Sequence, residues 1–128
     1  MFNEIEKLEL AELATFVPNK VLPVYNWLYY KEGFARDLVF LLAKEFGLRE
    51  GQTVLEPFCG VGTTPLACKE LGLNAFAFDV STVAVFAAKV KTQTYNLEEL
   101  RSAEKKLFAE KFKRVKIGNL PDFVKHSF

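Results

Sequence analysis

The 128-residue chain predicts an α/β fold with a βαβ core, a short parallel sheet and an N-terminal helical segment. Three observations carry that expectation. A short apolar run at residues 53–57, TVLEP, enters a glycine turn, FCGVG, as a buried parallel strand does. A helical stretch follows, Gly72 closes it, and NAFAF at residues 74–78 reads as a second strand. Asp79 then ends that strand and another helical stretch begins. Strand, glycine turn, helix, strand, helix is the order of a βαβ unit, which sets its strands parallel with helices against the sheet.

Ahead of this core, residues 3–14 carry Ile5, Leu8 and Leu13 at mixed helical spacing, the mark of a weak or frayed helix. Residues 15–30, TFVPNKVLPVYNWLYY, hold Pro18 and Pro23 among aromatics and are expected to be extended and irregular. Over residues 31–46, Phe34, Leu38, Leu41, Leu42 and Phe46 share one helical face, and Gly47 supplies the stop. Thr63 or Thr64 can cap the helix after the glycine turn, which runs to about Leu71. Ser81 can cap the next helix, to about Lys91. Asn96 caps a last one, with Glu98 and Glu99 in its first turn and basic residues near its end, as the helix dipole favours. Leu97, Leu100, Ala103, Leu107 and Phe108 form its apolar stripe, and residues 115–117 read as a third short strand. The expected layout is a single, incomplete domain: a helical and aromatic segment (1–47), the βαβ unit (48–95), and a helix with a tail (96–128).

Composition narrows the function classes. Half the residues are hydrophobic and 13 are Phe, enough for a packed core. The 17 basic and 16 acidic residues leave a net charge of +1, which argues against holding nucleic acid mainly by bulk charge. The tail EKKLFAEKFKRVK, residues 104–116, interleaves Glu104 and Glu110 with its basic residues and reads as a solvated helix face. It is still the best candidate for a nucleic-acid contact. No run of about 18 apolar residues occurs, and the acidic N-terminus lacks a signal peptide's pattern, so a cytoplasmic protein with no membrane contact is expected. Cys59, Cys68 and His126 do not make a zinc pattern; no metal site is expected, and the thiols read as partly buried groups in a reducing compartment.

The glycine turn has its own chemistry. Gly60 permits a backbone angle that other residues resist, and Gly62 lets the chain pass close to a ligand. The amides of Gly62, Thr63 and Thr64, at a helix start, can point toward an anionic group. An acid at the end of the second strand, here Asp79, can accept hydrogen bonds from both hydroxyls of a ribose.

The stretch VLEPFCGVGTTPLAC resembles the methyl-donor motif of S-adenosylmethionine-dependent amino-methyltransferases, Asp-Pro-Phe-x-Gly-x-Gly-Thr-Thr, with Glu56 in place of the aspartate. AFAFDV is similar to the strand that follows it in that family. Upstream, NKVLPVYNWLYYKEGFARDLV at residues 19–39 is similar to the Asn-Lys…Pro…Trp…Tyr-Lys-Glu-x-Phe stretch of DNA methylases that act on the exocyclic amine of adenine or cytosine. The resemblance covers about residues 16–95. It implies a partial Rossmann-like class I methyltransferase fold and S-adenosylmethionine as cofactor. By this resemblance Asp79 holds the ribose and Val80 flanks the adenine. The turn through Pro57, Phe58, Cys59, Gly60, Gly62 and Thr63 makes the backbone contacts, and Glu56 faces the cofactor's amino-acid end. Asn26, Trp27, Tyr30 and Glu32 border the methionine end.

One expected motif is missing. The family carries Asp/Asn/Ser-Pro-Pro-aromatic on the strand beside the first, where it receives the target amine and stacks on the extruded base. Pro18, Pro23, Pro57, Pro65 and Pro121 are nowhere adjacent, and no Pro-Cys dipeptide offers a nucleophile for carbon methylation. No catalytic residue is therefore assigned. The resemblance implies a cofactor-binding part of a DNA amino-methyltransferase. A partner chain would supply the catalytic motif, or a homodimer would form through the open edge of the first strand. Two alternatives stay open: a non-catalytic methyltransferase-like interaction module, and part of an RNA methyltransferase.

Overall fold

In the computed structural model, which describes residues 8–110, β1 (Thr53–Glu56) and β2 (Asn74–Ala77) run parallel, with Thr53 opposite Asn74 and Glu56 opposite Ala77. The crossover helix is α2 (Thr63–Glu70); α1 (Arg36–Glu45) comes before β1 and α3 (Thr82–Thr92) follows β2. The ladder outlasts the strands, since Phe78 N donates to the Glu56 carbonyl and Cys59 N to the Phe78 carbonyl, both at 2.9 Å. Side chains alternate across the sheet. Val54 and Ala75 pack with Ala43 of α1, Cys68 of α2 and Leu73, so α1 and α2 cover one face. Leu55 and its partner Phe76 point the other way and are 67% and 64% exposed. Among the described residues β1 has a strand neighbour, β2, on one side only.

The chain divides after Gln93 into two compact units. The second contains α4 (Leu97–Ala109), capped by Asn96, whose side-chain oxygen accepts from Glu98 N at 2.9 Å and Glu99 N at 3.3 Å. Leu97, Leu100, Leu107 and Phe108 are exposed on it. The strand expected at residues 115–117, His126 and residues 111–116 of the basic tail lie outside the described residues.

Residues 15–30 depart from the extended chain that their prolines predict. They form 3-10 turns at Val17–Val21 and Tyr25–Trp27, after a first at Leu8–Ala14. Pro18 falls in the opening turn of its element, where its missing N–H leaves no bond unmade. Before Tyr25 the chain reverses at Val24, with φ 68° and ψ −46°, and Tyr25 N donates back to the Pro23 carbonyl at 2.8 Å. A β-branched residue at positive φ is strained by about 1–3 kcal/mol. Two contacts hold it there. The Tyr25 side chain is buried to 2% exposure, and the Tyr25 carbonyl accepts a hydrogen bond from Lys91 Nζ of α3 at 3.1 Å.

The helix expected from residue 31 begins at Arg36. Gly33 and Asn19 set that start. A Cβ on Gly33 would lie 2.8 Å from the Phe16 ring, so the segment there packs flat against Phe16. The fully buried Asn19 donates to the Phe34 carbonyl and accepts from Arg36 N, each at 2.9 Å, doing from a distance what a capping side chain does locally. The expected stops at Gly47 and Gly72 hold, with φ of 61° and 67°. Ser81 caps α3 by accepting from Ala84 N. Neither Thr63 nor Thr64 caps α2: Gly62 does, in the left-handed conformation, and both threonines are buried.

Burial lowers the Lys91 amine from 10.5 to about 8. Between those values the unfolded chain holds the proton and the folded chain does not, so this group stabilises the fold as pH rises and that contribution is lost on falling through 8. The buried Cys59 and Cys68 thiols are raised and act in the opposite sense above about pH 9, so the window to use is pH 8–9. Over it, urea unfolding of the protein should gain about 1 kcal/mol relative to Lys91→Met. Parallel pH profiles would refute the burial of a titrating amine.

Candidate functional site

The site is built on the turn between β1 and α2, at the carboxyl ends of the two strands. Glu56 closes β1 and turns its carboxylate onto the loop it begins: Oε1 accepts from Phe58 N at 3.0 Å and Oε2 from Thr64 Oγ1 at 3.1 Å. Asp79, just past β2, reaches across to the same loop. Its Oδ2 accepts from Gly60 N at 2.9 Å and its Oδ1 from Ser81 N at 2.8 Å. Two carboxylates from neighbouring strands thus grip one glycine turn from both sides. Charged acceptors make these bonds stronger than neutral ones.

The two glycines differ in what crowds them. Gly60 has φ 50°, and a Cβ there would meet the Tyr30 ring at 3.0 Å. Gly62 has φ 88°, and a Cβ there would lie 2.8 Å from both Cα and Cβ of Ala88 on α3. The turn is therefore sandwiched between the aromatic segment and α3. The Gly62 amide, expected to face a ligand, instead donates to the Cys59 carbonyl at 2.9 Å. That leaves Thr63 and Thr64 as the amides of the expected three without a described partner within the turn.

Tyr30, Glu32, Phe58, Cys59, Gly60 and Thr63 come together around a small cleft of about 30 Å³. Asn26 and Trp27 do not join them; both are exposed, Trp27 to 57%. The buried aromatics of that segment are Phe16 and Tyr25, the latter beneath Arg36, whose guanidinium lies 6.0 Å from its ring. Pro57 is exposed at the start of the turn, Phe58 stands 82% exposed, and Val80 is fully exposed. These apolar side chains form an open wall.

Cys59 offers no nucleophile. Burial comes first and the Asp79 and Glu56 charges second in raising its thiol, so the protonated form is favoured. Sequence reasoning missed Asn19, Tyr25 and Lys91. An asparagine between prolines and a lysine on an otherwise apolar helix face were the signals available, and neither names its distant partner.

Gly62→Ala should destabilise the fold by about 2–4 kcal/mol, combining positive-φ strain with overpacking against Ala88. Urea unfolding measures it, and an unchanged midpoint would remove the close approach of α3 to the turn.

No family model matches the chain, and no solved structure does. Among curated proteins, 99 residues are 42% identical to the type II methyltransferase M.BsoBI of Geobacillus stearothermophilus, covering 76% of this chain and 19% of that protein. A stretch of 80 residues is 38% identical to the type II methyltransferase M.AvaI of Nostoc sp., covering 59% and 17%. A third, of 73 residues, is 36% identical to the type II methyltransferase M.MjaII of Methanocaldococcus jannaschii, covering 56% and 13%. The matched stretches thus span a fifth or less of these relatives. The parallel strand pair with its helices is compatible with part of an α/β methyltransferase fold. Over 56–76% of its length, this chain is similar to a short part of these type II methyltransferases, as the resemblance in its glycine turn and aromatic segment implied.

Proposed function

We propose that this chain is the S-adenosylmethionine-binding part of an amino-methyltransferase acting on DNA, at adenine N6 or cytosine N4. The observation that carries the reading is the glycine turn held between Glu56 and Asp79 at the carboxyl ends of two parallel strands. Ligands of open α/β sheets sit at such ends.

The donor set fits the cofactor. Each Asp79 oxygen accepts one described backbone bond, and a carboxylate oxygen can take two, so one acceptor site on each remains for a ribose hydroxyl. Val80 and Phe58 offer exposed apolar surface to an adenine ring. Tyr30 and Glu32 line the cleft beside the turn, Glu56 begins that turn, and in this reading the three meet the amino-acid end. The cleft of about 30 Å³ falls far below the volume a bound cofactor needs, so this chain provides one wall of the pocket.

When bound, the cofactor supplies a methyl group on a positively charged sulfur, open to direct attack by the target amine. This chain's own residues hold and orient it, which converts an encounter into a positioned reaction. The amine-binding Pro-Pro motif comes from polypeptide outside these 128 residues, in a partner chain or a longer one. The reading places the chain in the cytoplasm with DNA; no described helix is long and apolar enough to cross a membrane. A second reading, a non-catalytic interaction module, is favoured by the lack of that motif within these 128 residues.

Calorimetry with S-adenosylmethionine separates the two. Binding is expected, and Asp79→Ala should weaken it by about 2–3 kcal/mol, with circular dichroism unchanged. No heat from the unaltered protein at millimolar cofactor would leave the interaction module standing.

A further inference from the structure

We infer that Lys91 is a positioning residue: its amine holds the strained turn at Val24 closed and so fixes the aromatic side of the cleft beside the glycine turn. What the cleft binds rests on the reading just given. The latch itself stands apart from it, since Lys91 lines no part of the cleft.

Val24 is the one non-glycine residue at positive φ among those described. Its φ of 68° and ψ of −46°, with the 2.8 Å bond from Tyr25 N to the Pro23 carbonyl, make the strained form of a γ-turn. Such backbone persists only where its surroundings impose it, and it gathers at ligand clamps and switches. The Tyr25 carbonyl, directly after the turn, accepts from Lys91 Nζ at 3.1 Å. Lys91 is only 6% exposed, and a lysine is almost never so buried without a partner. An apolar side chain would fill the same space without the cost of taking an amine out of water. The contact is better explained by what it holds than by the volume it fills.

It holds a closed ring of contacts. Ala88, one turn before Lys91 on the same buried face of α3, meets Gly62 so closely that no Cβ fits there. Gly60, in the same turn as Gly62, lies against the Tyr30 ring, which a Cβ would meet at 3.0 Å. Tyr30 follows Tyr25 in the aromatic segment, and Lys91 ties that segment back to α3. The far end of the stretch has a separate pin in Phe16, whose ring meets Tyr29 edge-on at 5.5 Å and crowds Gly33. With the Lys91 link cut, the strain at Val24 draws the stretch away from α3 against the Phe16 pin alone. Tyr30 and Glu32 then lose their fixed place at the cleft.

The test uses the full chain and its one tryptophan, Trp27, which ends the helical turn that Tyr25 begins. Lys91→Met fills the space but cannot donate. It should enlarge the fast component of the Trp27 fluorescence anisotropy decay, with circular dichroism unchanged. It should also weaken S-adenosylmethionine binding about tenfold, as follows when the competent arrangement falls to about a tenth of the population. Val24→Gly, for which positive φ costs little, should restore both readings when combined with Lys91→Met. Should Lys91→Met not fold, Lys91→Gln, with its donor on a shorter arm, takes its place. Unchanged anisotropy overturns the inference, and so does unchanged affinity beside a loosened Trp27. A loss that Val24→Gly leaves in place also overturns it, in favour of a general stability role. If the unaltered protein takes up no cofactor, the proposed function falls, and the anisotropy of the same variants decides the latch by itself.

Discussion

The Asp79 carboxylate takes the Gly60 amide at 2.9 Å, and the geometry of the candidate site depends on that bond. It ties the segment after β2 to the turn that leaves β1, beside the ladder bond from Cys59 N to the Phe78 carbonyl. Glu56 completes the hold from the other strand, through the Phe58 amide and the Thr64 hydroxyl. With the turn fixed, Gly62 can approach Ala88 closely enough to leave no room for a side chain, and Tyr30 can rest against Gly60. Burial first, and these two carboxylates second, push the Cys59 thiol up. The two carboxylates give the turn an acidic rim.

What could be read from the sequence was local. Gly47 and Gly72 stop helices by their own backbone freedom, and Ser81 and Asn96 cap them with side chains a few residues from their targets. The strand pair was legible because the apolar run and the glycine turn stand next to each other in the chain. Longer-range dependences were hidden. The start of α1 is fixed by Asn19, which its own helical periodicity cannot report. Which aromatic of YNWLYY turns inward is decided by the reversal at Val24 and by Lys91, 66 residues beyond Tyr25. Trp27, the larger ring, stays in solvent as a result. The cap of α2 was misjudged for a related reason: the left-handed backbone at Gly62 satisfies the turn first, and the threonines are then drawn into the interior.

The aromatic segment also shows how the fold spends stability on placement. The reversed backbone at Val24 is unfavourable on its own and persists because Tyr25 is anchored twice, by its ring and by its carbonyl. One anchor comes from α3, the helix that also crowds Gly62. Segment, helix and turn are thus joined through α3, and Tyr30 and Glu32 line the cleft beside them.

A sheet clothed on one side only has a further consequence, for the life of the chain in a cell. Holding chaperones and proteases read exposed apolar side chains, and Leu55, Phe76 and Phe78 present three in a row. That row is the part of the described residues such surveillance would engage first.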